Sequence, residues 1–252
     1  MSQPLATTSV VKDDTQGIIF PPGDLYSDEP PLESDLHREQ IELLVRLIKW
    51  YWRERQDFYA TGNLTVYFSP NQKKSEDFRG PDFLVVLDTE KKDRKSWVVW
   101  QEDGKYPNII IELLSDSTAS VDRGLKKQIY QNTFRTPDYF WFDPVSLEFQ
   151  GFHILDGQYQ ELIPTPEGWL WSQQLGLYLG VVERKLRFFT PDGQLVLLPE
   201  EDANQQLEQT NQQLEQTNQQ LEQTNQQLEQ ERQKVERLAQ RLRAAGIDPD
   251  EL

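Results

Sequence analysis

Three acidic or basic side chains sit where the surrounding sequence makes them costly. Glu112 lies inside the apolar run Ile109-Ile110-Ile111-Glu112-Leu113-Leu114, and Asp82 follows Pro81 and opens a second run, Phe83-Leu84-Val85-Val86-Leu87. Lys126 comes four residues after Asp122 in a helix-forming stretch that begins at Ser120. A run as apolar as 109–114 reads as the buried centre of a sheet, where ionised glutamate is almost never left unpaired. A cation, a hydrogen-bonding cage or a proton must meet it. Acid at one strand start, acid within a second strand, then a lysine is the order of groups that metal-dependent phosphodiester hydrolysis needs. Asp82 and Glu112 are hard oxygen ligands suited to Mg2+ or Mn2+, and the backbone carbonyl of Leu113 is a plausible further ligand. An ammonium nearby can orient water and stabilise negative charge as it develops. Asp122, Lys126 and Tyr130 fall at i, i+4 and i+8, so a helix would show all three on one face, with Lys127 turned about 100° away.

Each residue also has a plainer reading. Asp82 can be a turn residue at the start of a strand, Glu112 can pair with Lys126 or Arg123 without a metal, and Asp122–Lys126 can be an ordinary helix ion pair. His37, near the start of the first helix, can reach the site or a phosphate, or simply occupy a half-exposed helix start. Other chemistries have less behind them. There is no G-x-S-x-G elbow, His37 and His153 are the whole histidine complement, and no glycine loop suited to cradling phosphates occurs.

The elements that would position these groups can be read in order. Pro21-Pro22-Gly23-Asp24 and Pro30-Pro31 punctuate a non-periodic start, so residues 1–31 are expected as a flexible arm. Ile41, Leu44, Val45, Ile48 and Trp52 share one helical face, with Ser34 or Asp35 as the cap. Strands are expected at Leu64–Ser69, Asp82–Asp88, Trp97–Trp100 and Asn108–Ser115. A helix from Ser120 to about Phe134 follows, ended by Thr136-Pro137. Tyr139–Asp143, aromatic on both faces, is expected as a central strand, and its connection back to the Glu112 strand is long enough for a βαβ crossover. A β-rich stretch then runs to about Pro199, with turns at Asp156-Gly157 and Asp192-Gly193. The expected fold is α/β (α+β), a mixed central sheet flanked by helices over residues 32–199, followed by a helical tail over 200–252.

In that tail the unit Leu-Glu-Gln-Thr-Asn-Gln-Gln repeats and sets Leu207, Leu214, Leu221 and Leu228 seven apart, with Val235 and Leu242 in phase. A seven-residue period implies a left-handed coiled coil. With leucine at d, Asn204, Asn211, Asn218 and Asn225 occupy a; in the other frame the second seam position is Thr. A homo-oligomer, most simply a dimer, is the expected state.

Composition sets the limits. The net charge is −16, and the residues from Glu200 onward carry twelve acidic and five basic side chains, so the rest holds about −9. A protein that grips nucleic acid normally shows a basic face, so here it must be local. Lys73-Lys74, Lys91-Lys92 with Arg94-Lys95, and Arg123 with Lys126-Lys127 are the candidates. The absence of cysteine removes disulfides and thiolate metal sites and fits a reducing compartment. Without a secretory signal or a stretch of membrane-spanning length, a cytoplasmic protein is expected.

Four segments together resemble a known family. Asp77-Phe78-Arg79-Gly80-Pro81-Asp82-Phe83, then Ile110-Ile111-Glu112-Leu113-Leu114-Ser115, Asp122 with Lys126 and Tyr130, and Tyr139-Phe140-Trp141-Phe142-Asp143-Pro144 are similar to the Uma-two family. These are bacterial restriction-endonuclease-like proteins of the PD-(D/E)xK nuclease superfamily. The resemblance spans roughly Leu32 to Leu198, and the tail looks like the coiled-coil ending common there. It implies a restriction-endonuclease fold, Mg2+-dependent or Mn2+-dependent hydrolysis of DNA, Asp82 and Glu112 as metal ligands, and a histidine at the position of His37. It also implies that the lysine usually found two residues after the second acid, here Leu114, has moved to the following helix as Lys126. Asp122 would orient that lysine, and Tyr130 would be an outer partner. The rival expectation, supported by the acidic core and the displaced lysine, is a nuclease fold reused as a non-catalytic scaffold.

Overall fold

The computed structural model describes residues 25–27, 34–69, 78–115 and 122–244, with the side chains of 78, 79, 122 and 123 excepted. By its contacts the chain divides into two compact units that meet at Leu198/Pro199.

The first unit is built on a six-stranded mixed sheet in the order β1-β4-β6-β7-β8-β9. Its strands are Phe58–Gly62 (β1), Phe83–Leu87 (β4), Ile109–Leu113 (β6), Asp138–Phe142 (β7), Phe149–Leu155 (β8) and Gln158–Glu161 (β9). Only β6 and β7 run parallel, joined by a right-length crossover through the helical segment 122–134 (α2); the other pairs are antiparallel. Strand β7 is internal, as its two-sided aromatic sequence predicts. Two small sheets complete the unit: Phe78–Arg79 (β3), Val66–Tyr67 (β2) and Trp97–Val98 (β5) in one, and Leu170–Ser172 (β10), Leu177–Val182 (β11) and Lys185–Phe189 (β12) in the other.

Alternation along the strands assigns the two faces. Ile109, Ile111, Leu113, Phe140 and Phe142 point to one face and pack with Leu44, Leu47 and Ile48 of helix α1 (Asp35–Tyr51) and with Leu177, Leu186 and Phe188 of the second small sheet. Ile110, Leu114, Tyr139 and Trp141 point the other way and pack beneath α2 through Tyr130 and Phe134. Beside Asp82, a Cβ on Gly62 would fall 2.1 Å from Ile41 Cγ2 and 2.8 Å from the Asp82 carbonyl oxygen, so only glycine lets α1 approach there.

The edges of the elements differ from the sequence reading in instructive ways. The expected strand at Leu64–Ser69 shrinks to two residues, and the expected strand at Trp97–Trp100 turns after Val98 into a short 3-10 helix, Val99–Gln101. β1 was not anticipated, because Phe58-Tyr59-Ala60-Thr61-Gly62 is short and ends in glycine. Leu25–Ser27, within the stretch expected as a free arm, are tied down instead: Ser27 N–H donates to the Lys95 carbonyl, Ser96 Oγ donates to the Leu25 carbonyl, and Tyr67 Oη donates to the Tyr26 carbonyl. These backbone groups find their partners in Lys95 and Ser96, just before β5, and in Tyr67 of β2.

One buried polar node joins the second small sheet to the main one. The fully buried Asp138 carboxylate takes hydrogen bonds from His153 Nδ1 at 2.7 Å, Ser172 Oγ at 2.6 Å and the Gln174 N–H at 2.9 Å. Its position at the first residue of β7 explains why an acid is tolerated there: three donors replace water.

Among its described residues the second unit is one helix, Pro199–Ala244 (α3), with none of them buried. Pro199 starts it, Glu200, Glu201 and Asp202 lie in its first turn and Arg241 and Arg243 in its last, an arrangement that suits the helix dipole.

Candidate active site

The β4–β6 ladder ends at the Phe83–Ile111 pair; continued past it, the two chains bring Asp82 toward Glu112 at one step and Pro81 toward Leu113 at two. The Leu113 N–H, having passed the end of β4, donates to Asp82 Oδ2 at 2.7 Å. Pro81 has no N–H to offer in return, which leaves the Leu113 carbonyl outside the ladder. His37 takes that place: its Nε2 lies 3.2 Å from the Leu113 carbonyl oxygen and its Nδ1 2.9 Å from Ser34 Oγ. Because a carbonyl can only accept, Nε2 carries the proton. Sequence alone gave this histidine no fixed role; the structure places it at the end of β6, buried, and fastened to the capping residue of α1.

Glu112 is fully buried on the α2 side of the sheet. Lys126 Nζ donates to its Oε2 at 3.0 Å and Tyr130 Oη to its Oε1 at 2.6 Å. Lys127 is turned away, its ammonium 3.4 Å from the centre of the Phe152 ring. The helix phase predicted from i, i+4 spacing therefore places Lys126 and Tyr130 together, although α2 is not a plain α-helix. It winds as a π-helix over Asp122–Lys126 and Tyr130–Phe134, with α turns only at Lys127–Ile129. Such widened turns are concentrated at functional positions. The side chain of Asp122, expected to orient Lys126, lies outside the described residues, as do those of Arg123 and of Lys73-Lys74.

Burial dominates the electrostatics. It pushes the Glu112 carboxyl up to about 7 from an ordinary value of 4.5, the Lys126 charge pulls it down, the neighbouring Asp82 pushes it up, and the Tyr130 and Lys126 hydrogen bonds pull it down. Near neutral pH the group is poised between its two forms. A cation held between Asp82 and Glu112 would favour the charged one. Among the described residues no three His, Cys, Asp or Glu side chains gather into a ready-made metal cage. The donors present are two carboxylates and the Leu113 carbonyl, all oxygen, which suits an ion such as Mg2+ that keeps several waters.

Among the basic residues nominated from sequence, Arg94 is committed to an internal ion pair, while Lys91 and Lys95 remain exposed. Arg94 is buried against Glu102, with Nε and Nη2 at 2.6 and 2.9 Å from its two oxygens, and it stacks on Tyr59 and Trp97. Lys91 lies over Phe58 and Lys95 over Tyr26.

The model of a family described as "Uma2: Putative restriction endonuclease" matches residues 14–188. The chain belongs to the Uma2 family. Its central mixed sheet flanked by helices is the restriction-endonuclease-like architecture, and membership makes it a nuclease-type protein. A crystal structure of a "putative nuclease belonging to DUF820" from Anabaena variabilis is similar at a TM-score of 0.43 and 13% identity, over 57% of this chain and 76% of that one. No curated protein matches the chain. No helix among the described residues is long and apolar enough to cross a membrane.

His37 offers a direct check on how the Uma2 site is held. His37→Leu is expected to lose about 1–2 kcal/mol, because the Leu113 carbonyl is left without its donor. His37→Gln, whose amide can still donate, should recover part of that loss in thermal melts. Equal melting temperatures for wild type and His37→Leu would show that the hydrogen bond holds nothing.

Proposed function

We propose that this Uma2 protein is a Mg2+-dependent or Mn2+-dependent endonuclease that hydrolyses DNA phosphodiester bonds in a cytoplasmic setting. The observation that carries this reading is the meeting of Asp82, Glu112 and Lys126 at one end of β4 and β6, with Glu112 fully buried and its two oxygens bonded to Lys126 and Tyr130. An arrangement so expensive to bury is poor as packing and apt for chemistry.

Asp82, Glu112 and the Leu113 carbonyl would hold the metal, which when bound would activate a water and neutralise charge on the phosphate. The Leu113 N–H fixes the direction of the Asp82 carboxylate, and His37 fixes the Leu113 main chain through its carbonyl. Tyr130 holds one oxygen of Glu112 in place. Lys126 brings positive charge to the same carboxylate and can place it against a phosphate oxygen as negative charge builds there.

A second reading has its own observation behind it. Both Glu112 oxygens are already satisfied by protein donors, so the same residues can act as a closed structural ion pair in a scaffold. Supercoiled plasmid nicking separates the two. Wild type should cut with Mg2+ or Mn2+ and stop with chelator, and Asp82→Asn should fall by at least ~100-fold, the order of loss when a group acting on transition-state charge is removed. Equal nicking by both proteins would assign the cleavage to another site or a contaminant. No cleavage by wild type on DNA or RNA would favour the scaffold.

A further inference from the structure

We propose that α3 pairs with α3 of a second copy of this chain as a parallel, in-register, two-stranded coiled coil with leucine at d and asparagine at a. Leu207, Leu214, Leu221, Leu228 and Val235, seven apart, are each between 55% and 64% exposed on a helix that buries nothing. A helix of 46 residues that carries such a seam finds most of its stability by packing it against something.

The placement of charge says what that something is and which way it runs. From Ala203 to Gln230 the only charged side chains are Glu208, Glu215, Glu222 and Glu229, one after each leucine. With leucine at d they occupy e, and Thr210, Thr217 and Thr224 occupy g. In an antiparallel pair e faces e, so the two glutamate rows would confront each other. In a parallel pair e faces g, so Glu215, Glu222 and Glu229 meet the neutral Thr210, Thr217 and Thr224 and Glu208 meets Ala203. A basic partner helix would suit the glutamates too, but the neutral face of this same chain already does.

Hydrogen bonds within the helix fit this frame. Thr210, Thr217 and Thr224 each donate Oγ1 to the carbonyl four residues back, on Gln206, Gln213 and Gln220, at 2.8 Å. The amides of Asn211, Asn218 and Asn225 make no hydrogen bond among the described residues, so they are available to pair with their counterparts across a seam. Asparagine at a with leucine at d specifies two strands, whereas a β-branched residue at d does not suit them. The identical heptads alone would allow slippage by seven residues. What favours the in-register pair is its number of apolar d layers, since a one-heptad slip abandons one of them; in register Arg232 meets its own counterpart at a. Since α3 begins where the first unit ends, a parallel pair tethers two Uma2 domains at the same end of one rod.

The chain has no cysteine, so single cysteines in the full-length protein report the pairing directly. In a glutathione redox buffer, Asn211→Cys and Ala239→Cys should each form a disulfide-linked dimer, and Thr210→Cys should do so several-fold less. Mixing Asn211→Cys with an affinity-tagged Ala239→Cys, or with a tagged Asn218→Cys, should give little mixed product. A dominant 211–239 product would make the pair antiparallel, and a 211–218 product as abundant as the self-linked one would make its register free. Equal linking at Thr210 would assign the other frame. Sedimentation of the cysteine-free chain as a monomer at tens of micromolar would overturn the pairing itself.

Discussion

Glu112→Gln is expected to abolish metal-dependent cleavage while leaving the metal-free protein as stable as the native one or more so. The substitution keeps volume and removes a charge that burial disfavours. The new amide can still accept from Lys126 and donate to Tyr130, whose hydroxyl can reverse its role. The sign follows from the shift. Folding raises the Glu112 carboxyl from 4.5 to about 7, so the native state binds the proton more tightly than the unfolded chain. The resulting penalty is absent below about 4.5, grows between 4.5 and 7, and is complete above 7, where it reaches about 3 kcal/mol before any metal binds. The difference in melting temperature between Glu112→Gln and wild type should therefore widen from pH 5 to pH 8 in chelator. Saturating Mn2+ should then stabilise wild type and not the variant. Parallel melting curves across that range would show that Glu112 is not held near neutrality, and equal Mn2+ stabilisation of both proteins would remove it from the metal site.

The largest expected loss of stability lies outside the site. Asp138→Ala should cost about 3–5 kcal/mol, the usual range when one member of a buried, hydrogen-bonded charged network is removed. His153, Ser172 and the Gln174 N–H would all lose their acceptor at once, and the second small sheet would lose its polar anchor on β7. For a protein of this size the melting temperature should drop by roughly 10 °C. Urea titration gives the free energy directly. A loss under 1 kcal/mol would mean that the three donors find water as readily as they find the carboxylate. Cleavage per folded molecule should be unaffected, because Asp138 stands at the first residue of β7 and Glu112 is paired with Trp141, three residues further along.

Some of this could be seen in the residue order and some could not. Asp82, Glu112 and Lys126 were legible because each breaks a local rule: a charge in or beside an apolar strand, or a lysine and a tyrosine spaced to share a helix face. Periodicity then placed α1, β4, β6 and β7 to within a residue or two, because long apolar runs and prolines leave few alternatives. Lys91, Arg94 and Lys95 are neighbours in sequence, and only the tertiary structure sets each over an aromatic ring from a distant segment, with Lys91 and Lys95 still exposed. Short elements such as β1 carry too few residues for a period to show.

What the sequence by itself determined is the set of anomalous charges, the two-faced strands, the crossover through 122–134 and the seven-residue period of the tail. These are local facts, fixed by residue type and spacing. The tertiary structure alone decided that His37 closes on the Leu113 carbonyl, because that depends on Pro81 lacking an N–H opposite Leu113 and on Gly62 admitting α1. It alone decided that Asp138 is a structural anchor, since its three donors come from a neighbouring strand and from a separate sheet. And it alone set Glu112 near neutrality, because a carboxyl's proton affinity depends on how much water the rest of the fold removes and which charges replace it.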